Sequence, residues 1–251
     1  MLAEERLSRI MKLLSQQRTA TVQELCEALD ASESTIRRDL NELDRMGKVN
    51  KVHGGATLPD SQFLADEPTM AAKEALAVVQ KKCIAKAAAA LITAEDFVFL
   101  DAGSTTLALA AALEGPALQA AYVTNGIAHA RMLVQKGCRT YLPGGQVRPI
   151  TEAITGPETL ADLQHYNFTK AFMGANGVSP AEGFTTPDPE EASIKTAALQ
   201  RARERWFLVD NTKFDMVYSA VIGDIGCGAI LTNHCPDPRY AQLTFVKECS
   251  V

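Results

Sequence analysis

Ser32-Glu33-Ser34-Thr35-Ile36-Arg37-Arg38-Asp39-Leu40 decides how the first sixty residues are read. Ser32 can cap a helix, Ile36, Leu40 and Leu43 recur at i, i+4 and i+7, and Gly47 stops the run after Met46. At about 100° per residue those three apolar side chains share one face. Ser34, Arg38, Asn41 and Arg45 fall on the opposite face, flanked by Thr35 and Arg37. Arginine can take guanine with two hydrogen bonds, asparagine can take adenine, and hydroxyls reach phosphates, so this face suits a DNA major groove. Asp39 lies at the inward edge, where a neighbouring basic group is its expected partner, since a carboxylate facing phosphate would repel DNA.

A solvated face is the ordinary fate of such charges, and the flanking sequence decides against it. Upstream, Leu7, Ile10, Met11 and Leu14 recur at helical spacing. Thr21, with Glu24 three residues on, forms a capping box for a short helix whose apolar face is Val22, Leu25, Cys26 and Leu29. Three short helices with a tight turn between the second and third predict a helix-turn-helix. Downstream, Lys48-Val-Asn-Lys-Val-His-Gly-Gly-Ala-Thr-Leu58 predicts two short strands around Gly54 and Gly55. Such a wing places Lys48, Lys51 and His53 where they could touch the phosphate backbone. Residues 58–70 mix proline with polar residues and have no period, as a linker does. The expected division is therefore 1–57, a winged helix-turn-helix; 58–70, a linker; and 71–251, a larger domain.

Charge is consistent with a local rather than a general DNA contact. The 251 residues carry a net charge of -5, and residues 1–57 hold nine basic and nine acidic side chains. Any contact must come from a cluster rather than from the overall field. No segment is long and apolar enough to span a membrane, and the start is charged, so a cytoplasmic protein without membrane partners is expected. Six scattered cysteines with no C-x-x-C pair predict reduced thiols and no metal site.

Beyond an alanine-rich helix expected over residues 71–92, strands and helices alternate, which predicts an α/β fold with a mostly parallel sheet. Expected strands are 97–100, 121–124, 139–142, 170–173 and 206–209, with a further pair near 219–222 and 229–231. Expected helices lie near 104–114, 126–136, 156–164 and 188–204. Five strands run into small polar clusters: Asp101-Ala-Gly103-Ser104-Thr105-Thr106, Thr124-Asn125-Gly126, Gly144-Gly145, Gly174-Ala-Asn176-Gly177 and Asp210-Asn-Thr-Lys213. Ligands of open α/β sheets bind beyond the carboxyl ends of the strands, so these clusters should converge. Gly103 allows close backbone approach, and Ser104, Thr105 and Thr106 at a helix start can cradle phosphate oxygens. Asp101, Asn125, Asn176 and Asp210 suit sugar hydroxyls, Lys213 or Arg148 suits a phosphate, and Glu191 and Lys195 stand one helical turn apart beside the same pocket.

The amino-terminal segment resembles the helix-turn-helix of the DeoR family of bacterial regulators. Arg6, Ile10 and Leu14, then Ser32, Thr35, Ile36, Arg37, Arg38, Asp39 and Leu40, and the trailing Val-His-Gly-Gly-Ala carry that resemblance. Residues 75–247 resemble the sensor domain of the same family, which is similar in fold to ribose-5-phosphate isomerase. The marks are Asp101-Ala-Gly-Ser-Thr-Thr, Val-Thr-Asn125-Gly, Gly144-Gly145, Gly-Ala-Asn176-Gly177 and Asp210-Asn-Thr-Lys213-Phe. Thr140-Tyr-Leu-Pro-Gly-Gly-Gln-Val-Arg148 and Gly183-Phe-Thr-Thr-Pro-Asp-Pro-Glu-Glu191-Ala-Ser-Ile-Lys195 look like fructose-operon repressors of that family. The resemblance implies a repressor that binds double-stranded operator DNA as a homodimer or homotetramer. It implies relief by a phosphorylated sugar, fructose 1-phosphate, and no cofactor. Two other readings compete. A sugar-phosphate isomerase would use Asp101, Glu191 and Lys195 as acid–base groups, but it has no need of a DNA-reading head. An oligomerisation scaffold would not need such polar strand ends.

Overall fold

The computed structural model describes residues 3–17, 19–52, 54–57 and 69–249. The chain forms two compact units, Met1–Gln62 and Phe63–Val251. His53 and residues 58–68 of the expected linker lie outside the described residues, whereas Thr69 and Met70 already belong to the first helix of the second unit.

The first unit runs α1 (Ala3–Gln17), β1 (Thr19–Thr21), α2 (Val22–Leu29), α3 (Glu33–Arg45), β2 (Asn50–Val52) and β3 (Gly55–Thr57). Thr21 and Glu24 close the capping box on α2, and the Ser32 hydroxyl accepts the Thr35 N–H at the start of α3. Gly47 takes φ +68°, the left-handed conformation that turns the chain away from α3 towards the wing. Ile10 and Leu14 of α1, Leu25 of α2, and Ile36, Leu40 and Leu43 of α3 close a single apolar core. The wing is a three-stranded antiparallel sheet of order β1-β3-β2. Its outer strand β1 was not expected, because three residues carry too little alternation to be read from the sequence.

The second unit runs α4 (Met70–Ala75), α5 (Val78–Ala89), β4 (Phe97–Leu100), α6 (Ser104–Ala112), β5 (Ala121–Thr124), α7 (Ile127–Gln135) and β6 (Arg139–Tyr141). It continues through β7 (Gln146–Val147), β8 (Ile154–Thr155), α8 (Pro157–Leu163), β9 (Phe168–Gly174), β10 (Gly177–Ser179) and β11 (Gly183–Thr186). Then come α9 (Pro189–Gln200), β12 (Ala202–Leu208), β13 (Ala220–Gly223), β14 (Ala229–Thr232), α10 (Arg239–Leu243) and β15 (Val246–Glu248). The main sheet is parallel, of order β15-β14-β12-β9-β4-β5-β6. Side chains alternate across it. Val98, Leu100, Phe172 and Leu208 join one core with Ile84 and Ala88 of α5, while Phe99, Met173 and Phe207 join the other with Ile194 of α9. From β4 the chain winds outward through β5 to β6, then returns to place β9 on the other flank of β4. The order of winding therefore reverses between β4 and β9, and a crevice at the carboxyl ends is expected there.

Three expectations need correction. The helix over 71–92 is broken: α4 ends at Ala75, Leu76 is extended, and Ala77 takes φ +51° before α5. Alanine and lysine favour helix throughout that run, so only packing marks the break. The helix over 188–204 ends at Gln200, and β12 begins at Ala202. The six cysteines are not all thiols: Cys83 of α5 and Cys249 after β15 form a disulfide with Cα atoms 6.1 Å apart. The pair is 166 residues apart in sequence. It meets because α5 packs on β14, beside which β15 is the edge strand.

Candidate DNA-reading face and effector site

Ser34, Arg37, Arg38, Asn41 and Arg45 are exposed along α3, and Thr35 is half-buried with its hydroxyl 2.8 Å from Ser32 Oγ at the cap. Asp39 is buried, and both its oxygens accept from the Arg6 guanidinium, at 2.5 and 3.0 Å. That ion pair ties α1 to α3, and it answers the question of where an inward-edge carboxylate goes. Three expected DNA contacts, Arg37, Asn41 and Lys51, already have partners in the free protein. Arg37 pairs with Glu33 one turn back, at 2.6 Å, and Lys51 Nζ of the wing donates to Asn41 Oδ1 at 2.5 Å. The Lys51 N–H also donates to Asp44 Oδ1 at 3.0 Å, which fastens β2 to the end of α3. Lys48 is half-buried and His53 lies outside the described residues.

The second cluster assembles at the reversal of winding. Asp101 follows β4, is 1% exposed, and its Oδ2 accepts the N–H of Gly174 at the end of β9, at 2.9 Å. The same oxygen accepts from Lys195 Nζ, 3% exposed on α9. Burial pushes the Asp101 carboxyl up, while Lys195 and the Gly174 N–H pull it back. One turn before Lys195, Glu191 Oε1 accepts from Arg148 Nη1 at 2.6 Å and from Thr151 Oγ1 at 2.5 Å. Burial would raise Glu191, but Lys195, Thr151 and Arg148 outweigh it and hold the carboxylate below its usual range. Arg148 also reaches Asp188 at 3.0 Å, and Thr155 donates to Glu190 at 2.9 Å.

Arg148, Thr151 and Thr155 belong to a β7–β8 hairpin that the sequence did not announce. The hairpin is therefore fastened by side chains to the start of α9, at Asp188, Glu190 and Glu191. Its tip holds another element: the carbonyl of Ile150 accepts the N–H of Met70, the first residue of α4, at 3.0 Å. On its other side α4 is held by Lys81 of α5, whose ammonium donates to the Lys73 carbonyl. Lys81 is 6% exposed, and burial lowers its pKa while Asp210 raises it and Lys213 and Lys73 lower it further. Lys81 was missed, because a lysine in an alanine-rich helix reads as a surface residue. It adds a buried cation beside Asp210 and Lys213.

The remaining expected residues divide. Asn125 Oδ1 accepts the Ala102 N–H at 3.0 Å and its Nδ2 donates to Ile154 O, so it braces the turn after β4. Thr106 donates its hydroxyl to the Asp101 or Gly103 carbonyl, and Thr124 accepts the Gly126 N–H. Gly103 and Ser104 are half-open at the start of α6, and Thr105 is buried. Asp210 caps a short turn by accepting from Thr212. Asn176 accepts from Thr186. The close approach that Gly145 and Gly177 permit is to the chain itself, to Thr159 and to the Met216 carbonyl. Gly144 likewise exchanges hydrogen bonds with Asp162 and Thr159. The polar network is packed shut. The open groove of about 510 Å³ over Pro189, Ser193, Thr196 and Val221 shares none of these residues.

A winged helix-turn-helix joined to an α/β unit with a buried, charged cluster at its strand ends defines a DNA-binding regulator with a sensor module. Residues 6–62 match the model of the DeoR-like helix-turn-helix domain, and residues 77–232 match that of the DeoR C terminal sensor domain. The chain belongs to the DeoR family of transcriptional regulators, which are not enzymes. It is 38% identical over 251 residues, 98% of each chain, to the uncharacterized HTH-type transcriptional regulator FruR of Bacillus subtilis. It is 36% identical over 213 residues, 84% of this chain and 83% of the other, to the lactose phosphotransferase system repressor of Streptococcus mutans. Among solved structures it is similar to ribose 5-phosphate isomerase A of Methanocaldococcus jannaschii (TM-score 0.39, 16% identity, 53% of each chain). It is also similar to the full-length sorbitol operon regulator SorC of Klebsiella pneumoniae (TM-score 0.39, 12% identity, 82% of this chain and 89% of that one). Among the described residues no helix is long and apolar enough to cross a membrane, and no cluster of side chains suits a metal ion.

Proposed function

We propose that the protein represses a sugar-catabolism operon and releases its operator when a phosphorylated sugar, fructose 1-phosphate, binds the second unit. The observation that carries this reading is the buried Asp101–Lys195 and Glu191–Arg148 network at the reversal point of the sheet, in a chain that also carries a DNA-reading face. The relatives named FruR and lactose phosphotransferase system repressor support a sugar-linked operon. Arg38, Arg45, Asn41 and Ser34 read the major groove. Arg37, Thr35, Lys48, Lys51 and His53 meet the backbone, Arg37 and Lys51 leaving Glu33 and Asn41 for phosphate and so freeing Asn41 for a base. A homodimer, or a pair of dimers, sets two such faces about 34 Å apart or a multiple of that.

On the effector side, Asp101 and Glu191 take sugar hydroxyls, assisted by Asn125 and Asp210, and the N–H groups and hydroxyls at the start of α6 take the phosphate. Lys81, Lys213 and Arg148 neutralise it. The network is shut in this structure, so entry displaces the β7–β8 hairpin. A phosphate that draws Arg148 away from Glu191 and Asp188 loosens that hairpin. The Ile150 carbonyl then loosens its hold on α4, the first helix of the sensor unit after the chain leaves the DNA-reading unit. A ligand shifts the equilibrium only by its difference in affinity for the two arrangements, so the hairpin-closed form is the operator-binding one.

Calorimetric titration with fructose 1-phosphate, fructose 6-phosphate and glucose 6-phosphate tests the effector. Fructose 1-phosphate should bind most tightly, and Asp101→Asn should abolish its binding. Binding of no phosphosugar to the wild type overturns the reading.

A further inference from the structure

His129, in the first turn of α7, is absent from every expectation drawn from the sequence. It is 1% exposed. Its Nε2 lies 3.0 Å from the Gly103 carbonyl, 3.1 Å from Thr106 Oγ1 and 3.3 Å from the Gly103 nitrogen. Its Nδ1 is, among the described residues, the buried side-chain polar atom left without a hydrogen-bond partner. That atom packs against Gly126, where a Cβ would overlap the imidazole.

The two ring nitrogens are thus unequal. A proton on Nδ1 leaves a buried N–H unsatisfied against Gly126. A proton on Nε2 gives the ring a donor to the Gly103 carbonyl at 3.0 Å; it gives up the longer 3.3 Å contact from the Gly103 N–H and leaves a bare lone pair at Nδ1, but no ring N–H is buried unsatisfied. Burial pushes the imidazole down to about 4, helped by Lys195 and opposed by the Gly103 hydrogen bond, so the ring is neutral at ordinary pH. What Nε2 touches is the turn from Asp101 to Thr106, which presents both the buried carboxylate and the first N–H groups of α6. Asn125 braces the same turn at Ala102, at 3.0 Å. One short segment, 125–129, therefore holds the turn at two successive residues.

We propose that His129 is a positioning residue of the effector site, whose neutral imidazole acts through Nε2 alone to fix the Asp101–Thr106 turn in its ligand-accepting form. The ligand named for this site rests on the sugar-phosphate reading above; the bracing of the turn does not.

Three substitutions separate the roles of the ring. In His129→Gln the side-chain amide reaches the place of Nε2. In His129→Asn it reaches only the place of Nδ1. His129→Leu fills the space without a polar atom. Amide exchange of residues 101–107, read by mass spectrometry without ligand, should rise about tenfold in H129N and H129L. Affinity for fructose 1-phosphate should fall about tenfold in the same two variants. H129Q should stay within about threefold of wild type in both readouts. A role in packing alone gives the other order, with H129L like wild type and H129Q as impaired as H129N, and either that order or equal behaviour of H129Q and H129N overturns the proposal. If the wild type binds no fructose 1-phosphate, the sugar-phosphate reading falls and the exchange data decide the role of His129 by themselves.

Discussion

Replacing Lys195 with methionine keeps the volume of the side chain and removes its charge. Asp101, 1% exposed, then keeps only the Gly174 N–H of its two charge-compensating partners. Breaking a buried ion pair by deleting one partner costs about 3–5 kcal/mol, a large share of the ~5–15 kcal/mol that holds a domain folded. The carboxyl can reduce that cost by taking a proton. Its folded pKa is already raised by burial, and losing Lys195 raises it further. A folded pKa above the unfolded one gives stability that is fully present below the unfolded value and lost as pH rises through the folded one. The deficit of K195M should therefore be small in mild acid and grow with pH, by up to about 1.4 kcal/mol per pH unit between the two folded pKa values.

The assay is favoured by the sequence: Trp206 is the only tryptophan and lies in β12 of the sensor unit, so its fluorescence follows that unit alone. Urea unfolding of wild type, K195M and D101N/K195M at pH 5.5 and 8.0 gives the comparison. The double variant, which buries no unpaired charge, should recover most of the stability without recovering effector binding. A deficit below about 1 kcal/mol, or one that does not change with pH, would refute the view that Asp101 and Lys195 form a compensated buried pair.

Arg38→Ala should weaken operator binding by about 1–3 kcal/mol, or roughly fivefold to 150-fold, in a gel shift while leaving phosphosugar affinity unchanged; equal operator affinity would remove Arg38 from the reading face. Arg6→Met strands Asp39 in the core of the first unit, and should lower that unit's melting temperature, followed by circular dichroism, without moving the Trp206 transition. Met70→Pro removes the N–H that binds the Ile150 carbonyl. Proline is tolerated at the first position of a helix, and Thr69 already has the extended backbone that a following proline requires. Compared with Met70→Ala, it should keep fructose 1-phosphate affinity but weaken operator binding and the effect of the sugar on it. Identical behaviour of the two variants would exclude the hairpin–α4 hydrogen bond from transmission.

What the sequence revealed was set by the length scale of each pattern. Phe97–Leu100 and Ala121–Thr124 are four-residue apolar runs ending in polar clusters, and both stand in the structure with those bounds. The wheel over residues 32–46 separated Ile36, Leu40 and Leu43 from the exposed face and left Asp39 at the edge, where Arg6 meets it. The β7–β8 hairpin escaped because its strands have two residues each, too few to alternate. Lys81, His129 and the Cys83–Cys249 bond escaped for a different reason: each is defined by partners distant in sequence or by burial, and neither leaves a local signature. At Gly145 the close approach is to the side chain of Thr159, and in sequence such an approach looks the same whether the neighbour is the chain or a ligand.

On this reading one chain both reads DNA and lets go of it on binding a phosphosugar. A gel shift on the DNA upstream of the protein's own gene, with and without fructose 1-phosphate and a panel of other phosphosugars, tests it most directly. A specific complex should form that fructose 1-phosphate dissolves and that Asp101→Asn renders insensitive to the sugar. A complex indifferent to every phosphosugar, or no complex at all, would contradict it.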